Sequence, residues 1–209
     1  MPKLEVKVNI GYNILQNKLM ALIKKNYSTK SDEELMSLLT KGGQSAFDEL
    51  YGRYSKPLLN FFYRMLNNDR EKAEDLLHDL FLKIIEKPDS FDGNKKFNTW
   101  FYTLASNMIK NEYRSRQIKL QYATETLNLT QEYDLNNESI DRQLFDNRLQ
   151  RELDKLDPES KAMFNLRFSQ EMSVKQIAEI MGYPEGTIKS RLFHLTRQLA
   201  GKLAIYKPN

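Results

Sequence analysis

The sequence predicts an all-α fold made of two small helical domains joined by a flexible linker. Three observations carry this reading. Apolar residues recur three and four apart through most of the chain, glycine and proline punctuate the runs, and the stretch from Ile118 to about Asn137 has no sustained period. Strand-like alternation occurs at Leu4, Val6, Val8 and Ile10, which are separated by polar residues.

Each helix has its own signal. Ser31-Asp-Glu-Glu34 has the form of a capping box, a hydroxyl cap with a carboxylate three residues on, and opens a short helix through Leu35, Leu38 and Leu39 that Gly42-Gly43 ends. A second helix starts near Ser45 and spaces Phe47, Leu50, Tyr51, Tyr54, Leu58, Phe61, Phe62 and Met65 three or four apart. Pro57 inside it predicts a kink or a break, because proline lacks an N–H and its ring crowds the preceding turn. A third helix, Arg70 to Glu86, repeats Ala73, Leu76, Leu77, Leu80, Phe81, Ile84 and Ile85 on one face and turns Glu71, Glu74, Asp75, His78, Asp79 and Lys83 to solvent. Pro88 stops it. A fourth, from Phe97 to about Gln117, is aromatic at its start and basic at its end. Helical pattern resumes near Arg142, breaks at Leu156-Asp157-Pro158, and continues in three more segments.

Composition excludes several classes of function. The 209 residues contain no cysteine, so disulfides, thiolate nucleophiles and cysteine-ligated metals are ruled out. The two histidines, His78 and His194, lie in different contexts, which makes a histidine metal cluster improbable. No phosphate-binding glycine loop, nucleophile elbow or metal-ligand spacing occurs, so neither an enzyme nor a cofactor or small-molecule substrate is expected. The aliphatic run Leu19 to Ile23 is too short to cross a bilayer, and the charges within Met1 to Ile10 argue against a secretory signal. A soluble cytoplasmic protein follows as the expectation.

The net charge of +4 is a weak pointer to polyanions, but its distribution says more. Asp69 to Asp92 carries eight acidic and four basic residues, whereas Lys95 to Lys119 carries six basic and one acidic. Leu120 to Ile140 has four carboxylates and no Lys or Arg, and Pro158 to Asn209 is again basic. Alternating acidic and basic blocks suit more than one kind of partner.

The last fifty residues hold the clearest motif. Ser173 caps a short helix containing Val174, Ile177, Ala178, Ile180 and Met181, Gly182-Tyr183-Pro184 forces a turn, and a second helix runs from about Glu185. This is a helix-turn-helix layout, with a glycine for the left-handed turn and a small Ala178 for close approach. At 100° per residue Ile188, Leu192, Leu195 and Leu199 form the buried stripe. Gly186, Thr187, Ser190, Phe193, His194 and Arg197 lie opposite, flanked by Lys189 and Arg191. Hydroxyls and cations suit a major groove, and free N–H groups near Gly186 and Thr187 suit a phosphate. An ordinary helical hairpin with a solvated face is the alternative.

The segment Lys95-Lys96-Phe97-Asn98-Thr99-Trp100-Phe101-Tyr102, followed by Asn107 and Tyr113-Arg114-Ser115-Arg116, interleaves rings, amides and cations. Unpaired bases require a π-face to stack on and donors for their edges, which this pattern offers. The same residues also fit a core helix, since Trp100, Leu104 and Met108 share one face.

At these residues the chain resembles a known family. Ala73-Glu-Asp75-Leu-Leu-His78-Asp79-Leu-Phe-Leu-Lys83 is similar to region 2.2 of bacterial RNA polymerase sigma factors. Phe97-Asn-Thr-Trp100-Phe-Tyr-Thr-Leu-Ala-Ser-Asn107 with Glu112-Tyr113-Arg114 resembles their melting and −10-reading regions. Leu156-Asp157-Pro158, Ser173 to Met181 and Pro184 to Leu192 resemble region 4. Two such blocks without a third domain between them match the extracytoplasmic-function (ECF) subfamily of the sigma-70 family.

The resemblance implies a division of residues 31–117 as a region 2 domain, 118–143 as an acidic linker and 144–209 as a region 4 domain, with residues 1–30 an unassigned extension. It implies that Asp75, His78 and Asp79 dock on the clamp helices of the largest polymerase subunit, with His78 standing where the family usually has glutamine. Lys95, Lys96, Phe97, Trp100, Asn107, Tyr113, Arg114 and Arg116 would hold the opened −10 strand, with the loop Pro88 to Lys96 forming a pocket for a flipped base. Gly186, Thr187, Lys189, Ser190, Arg191, His194 and Arg197 would read the −35 duplex, and Phe193 would touch a thymine methyl or a polymerase flap element. Expected partners are core RNA polymerase, through clamp helices and flap, promoter DNA and a membrane-bound anti-sigma factor. From Ile118 to Phe145 the linker reaches about 90 Å when stretched, against the roughly 35 to 70 Å separating two DNA sites one or two turns apart. A free-standing helix-turn-helix regulator is the second reading. Met1 to Lys30, with six basic residues and one acidic, is either a basic arm or precedes a start at Met20.

Overall fold

The computed structural model describes residues 27–122 and 140–204, with side chains of 119–122 and 140–144 left aside. Among the described residues all extended regular structure is α-helical, plus one 3-10 turn. The strand expected at Leu4 to Ile10 and most of the linker lie outside the described residues.

Helix α1 (Asp32–Leu39) begins at the expected capping box: the Glu34 N–H donates to Ser31 Oγ at 3.2 Å and the Ser31 N–H to the Glu34 carboxylate at 2.8 Å. Its Leu35 and Met36 are buried against α2 (Gln44–Met65). α2 runs unbroken through Pro57, so the expected break does not occur. Proline removes one bond of a long ladder, and the burial of Leu50, Leu58, Phe61, Phe62 and Met65 on both sides outweighs that loss.

Asn67 and Asn68 turn the chain with φ of 57° and 66°, a conformation asparagine tolerates better than most residues. Asp69 then caps α3 (Arg70–Glu86), accepting from the Lys72 N–H at 3.1 Å. Ala73, Leu76, Leu77, Leu80, Phe81 and Ile84 are buried as the period requires, but Ile85 is 46% exposed. It follows Ile84 by 100°, one step too far around the cylinder to stay in the seam. After a 3-10 turn at Pro88–Ser90, α4 (Phe97–Tyr122) runs one turn beyond the expected end near Gln117.

The C-terminal half contains α5 (Ile140–Asp154), α6 (Pro158–Phe168), α7 (Val174–Met181) and α8 (Glu185–Leu203). Asp157 caps α6 with Pro158 in its first turn, where a missing N–H does no harm. α7 starts at a full capping box of Ser173 and Gln176 and ends at Gly182, whose φ of 74° is the left-handed cap expected from sequence. Ile188, Leu192, Leu195 and Leu199 form the buried stripe of α8.

Leu153, Leu195 and Leu199 make a small separate cluster beneath α5 and α8. The same two helices are tied by Glu152, only 2% exposed, whose carboxylate meets Lys155 at 2.8 Å, Lys202 at 3.0 Å and Arg148 at 3.6 Å. The main cluster crosses between halves: Phe61, Tyr102 and Ile109 belong to the same continuous core as Met163, Ile177 and Met181.

Two outcomes follow. A Cβ at residue 182 would touch nothing, so Gly182→Ala tests backbone strain alone and should cost about 1 kcal/mol in denaturant unfolding. Bonds from Lys155 and then Lys202 hold Glu152 at about 2, against burial and well below 4.5. A carboxyl group so depressed stabilises the fold fully above pH 4.5 and loses that contribution as pH falls toward 2. Glu152→Gln should therefore lower the melting temperature at pH 7 but leave it close to wild type near pH 2.

Candidate nucleic-acid interface

Helix α4 divides into three faces at 100° per residue. Phe97, Phe101, Ala105 and Met108 point into the N-terminal core, each 7% exposed or less. A second face meets the C-terminal half: Tyr102 donates to Gln170 at 2.5 Å, and Ser106, Ile109 and Lys110 share a crevice with Pro158, Glu159, Ala162 and Met181. The third face, Lys96, Trp100, Thr103, Asn107, Asn111 and Arg114, faces outward, with Trp100 and Thr103 half-buried and the other four exposed.

The start of this helix is fixed from α1. The Phe97 N–H donates to Glu33 at 3.2 Å, so a carboxylate one helix away takes the place of a local cap. Burial of Glu33 opposes its ionisation, but the N–H bonds from its own backbone and Phe97, with the charge of Lys96, keep its carboxyl below the ordinary value.

Behind it, Arg53 uses all five donors: Asp32 at 2.7 Å, Glu49 at 2.9 Å, and the carbonyls of Lys30, Tyr27 and Ser28. Tyr54 donates to the other oxygen of Asp32, and burial first, then that bond, pushes its hydroxyl pKa up. Neither Arg53 nor Glu33 was legible as important, because long-range partners leave no periodic mark. The loop leading to α4 is ordered by an Asx turn, in which Asp92 accepts from the Asn94 N–H at 3.1 Å.

The residues expected at the −10 site separate accordingly. Lys95, Lys96, Asn107 and Arg114 are exposed. Trp100 is half-buried, its ring 5.1 Å from Phe91 and nearly parallel to Phe101 at 6.2 Å. Phe97 is a correction. Its ring is fully buried among Tyr54, Phe91 and Phe101 and offers no face to a base. Tyr113 is half-buried with its hydroxyl donating to the Met65 carbonyl, and Arg116 is held by Glu112 at 3.1 Å and Asp69 at 3.4 Å. The loop Pro88 to Lys96 is largely exposed. A cavity of about 570 Å³ that includes Lys96 lies instead toward α1 and α7, lined also by Asn98, Thr99 and Lys175.

On α8, Gly186, Lys189, Ser190, Arg191, Phe193, His194 and Arg197 are exposed and Thr187 is half-buried. Phe193 is 60% exposed and packs edge-on against His194. The Thr187 N–H is not free for a phosphate, because it donates to the Pro184 carbonyl at 3.0 Å. Arg191 is anchored rather than free: it meets Glu159 at 3.1 Å and lies over the Tyr183 ring at 4.4 Å, while Tyr183 also donates to Glu159.

Asp75, His78 and Asp79 are exposed on α3, and Leu82, 46% exposed, stands among them. Its spacing seven residues from Asp75 places it on that acidic face, a signal present in the sequence.

These surfaces coincide with two family matches in order. The model described as Sigma-70 region 2 matches residues 50–118, and that described as Sigma-70, region 4 matches residues 146–199. The RNA polymerase sigma factor YlaC of Bacillus subtilis (strain 168) is 32% identical over 159 residues, which cover 75% of this chain and 91% of that protein. The chain belongs to the sigma-70 family, ECF subfamily. The ECF sigma factor SigW of the same organism is 30% identical over 161 residues, covering 73% of this chain and 86% of SigW.

Among solved structures, the sigma factor RpoE in complex with the anti-sigma factor NepR from Bartonella quintana superposes with a TM-score of 0.64 at 23% identity, over 77% of this chain and 98% of that one. CnrH in complex with the cytosolic domain of CnrY gives 0.62 at 20% identity, over 83% and 97%. As a sigma factor, the protein directs promoter-specific transcription initiation, with core RNA polymerase and promoter DNA as partners, and the reading as a free-standing regulator is not favoured. No helix among the described residues is long and apolar enough to cross a membrane.

Burial separates scaffold from surface on α4 in a measurable way. Phe97→Ala should destabilise by about 3–5 kcal/mol, and Asn107→Ala by no more than about 0.5 kcal/mol, in matched denaturant titrations.

Proposed function

We propose that the outward face of α4 holds the separated −10 strand while α8 reads the −35 duplex. The observation that carries this reading is the commitment of the other two faces of α4. Only the third remains open, and on it Asn107 and Arg114 make no hydrogen bond or ion pair among the described residues. Trp100 supplies a ring for stacking, Asn107 an amide for a base edge, and Lys95, Lys96 and Arg114 the charge for phosphates. Arg116 and Tyr113 support this face from behind. On α8, Thr187, Lys189, Ser190, His194 and Arg197 reach base edges and phosphates, with Gly186 allowing close approach. Arg191 orients the helix through Glu159, and Phe193 meets a thymine methyl or a flap element.

The acidic face of α3, Asp75, His78 and Asp79 around Leu82, docks on the clamp helices of the largest polymerase subunit. The working units are residues 31–117 and 144–209. The protein acts in the cytoplasm and contributes no catalysis, since polymerase forms the bonds. Solved relatives were captured with an anti-sigma factor or a partner's cytosolic domain, and we extend this to a membrane-bound anti-sigma factor for the present chain.

Transcription in vitro with core polymerase on a genomic library should yield promoter-specific transcripts, and their absence would count decisively against the reading. Trp100→Ala should reduce open-complex formation by roughly tenfold, in line with about 1–3 kcal/mol for stacking on one base, and Asn107→Ala should reduce it through the loss of a base-edge hydrogen bond of about 1 kcal/mol, while core binding is retained. Asp75→Lys with Asp79→Lys should abolish core binding without changing the melting temperature by more than a few degrees.

A further inference from the structure

We propose that Glu159 is a positioning residue that sets the specificity of the −35 contact: together with Tyr183 it withholds the Arg191 guanidinium from DNA phosphates, so that duplex without the right bases is held weakly. The inference rests on the reading of α8 as the −35 helix and adds what makes that helix selective.

Three side chains from three elements meet at the edge of the reading face. Glu159 stands in the first turn of α6, Tyr183 in the turn between α7 and α8, and Arg191 on α8. Arg191 follows Thr187 by four residues and precedes His194 by three, so it shares their side of the helix. Its guanidinium donates to Glu159 at 3.1 Å and lies 4.4 Å from the centre of the Tyr183 ring. The Tyr183 hydroxyl donates to the same carboxylate, 2.8 Å from one oxygen and 3.0 Å from the other. A lone ion pair at the surface is weak, because two long side chains must be ordered to make it. Here the order is supplied in advance: the tyrosine hydroxyl aims the carboxylate and its ring supports the cation. Tyr183 is itself fixed, since it packs on the main core between Gly182, a left-handed cap, and Pro184, whose φ of −59° is set by its ring.

These contacts decide what charge DNA meets at this edge. Lys189 and Arg197 make no ion pair among the described residues, so their charges are open to phosphates, whereas that of Arg191 is matched by a carboxylate. Affinity for duplex of any sequence comes from neutralising phosphates, and each such contact steepens the fall of log affinity with log salt by about 0.9. An arginine swinging free would give that contact to every duplex alike. It would also leave the roll of α8 to the apolar stripe of Ile188 and Leu192, whose contacts are not directional. The three-cornered contact therefore lowers binding to wrong sequences and holds the reading side chains in register, and selectivity is the difference between the two affinities.

The Glu159 and Arg191 side chains are 43% and 45% exposed, and Asp157 caps α6 through backbone N–H groups, so both can be replaced with the helices intact, which melting curves check. The measurement uses holoenzyme on a promoter recovered by transcription in vitro and on the same fragment with its −35 sequence scrambled; contacts made by the core enzyme are common to all variants. Glu159→Gln should bind the scrambled fragment about threefold more tightly at low salt, with a salt slope steeper by about 0.9, and should gain less on the intact one. Arg191→Ala should keep the wild-type slope, and the double variant should lose the added slope. A slope unchanged or shallower in Glu159→Gln overturns the inference. So does a slope shallower by about 0.9 in Arg191→Ala, which puts that cation on a phosphate already, or a steep slope surviving in the double variant, which assigns the gain to the removed carboxylate alone. A wild-type holoenzyme with no preference for the intact fragment would instead sink the reading of α8 itself.

Discussion

One helix carries three incompatible demands, and the fold is arranged to meet them on one cylinder. α4 must bury an aromatic face to hold the N-terminal half together, keep a polar face open for the proposed −10 contact, and meet the C-terminal half along the remainder. A helix has room for three such strips only if neighbouring residues go to different partners. Phe101, Tyr102 and Thr103 do so in succession, one to each. This explains why aromatic density around Phe97 to Tyr102 is ambiguous as a signal. The rings serve scaffold and surface together, and Trp100 takes part in both.

Much of the architecture could be read from short-range chemistry. The capping boxes at Ser31 and Ser173, the cap at Asp157 and the left-handed Gly182 follow from bonds made within one turn of chain, which leave a fixed spacing in the sequence. The buried stripe of α8 follows from periodicity alone. What escaped was decided at a distance. Pro57 was tolerated because packing on either side exceeds one lost bond, and Ile85 fell outside the core because the α2–α3 contact is narrower than a run of apolar residues suggests. The Phe97 ring went inward because Tyr54, Phe91 and Phe101 surround it, a neighbourhood drawn from three separate elements.

The candidate sites show the same division. Exposure of Asn107, Arg114, Ser190, His194 and Arg197 accords with their helical phase. Arg191 and Arg116 looked equally free, yet both have carboxylate partners: Glu112 one turn back from Arg116 is legible from spacing, whereas Asp69 at the start of α3 and, for Arg191, Glu159 on α6 are announced by no local spacing. A cation counted from sequence as available to phosphate is thus available only after its intramolecular competitors are known.

Arg53 ties the segment before α1 to α2. A planar fork with five N–H groups can grip two carboxylates and three carbonyls at once, whereas an ammonium, with three donors and no plane, could satisfy one set or the other. Lysine, nominally the mildest replacement, would loosen the collar of backbone from 27 to 30 and leave the first helix clasped by its apolar side and by the bonds of Asp32 to Tyr54 and of Glu33 to the Phe97 N–H.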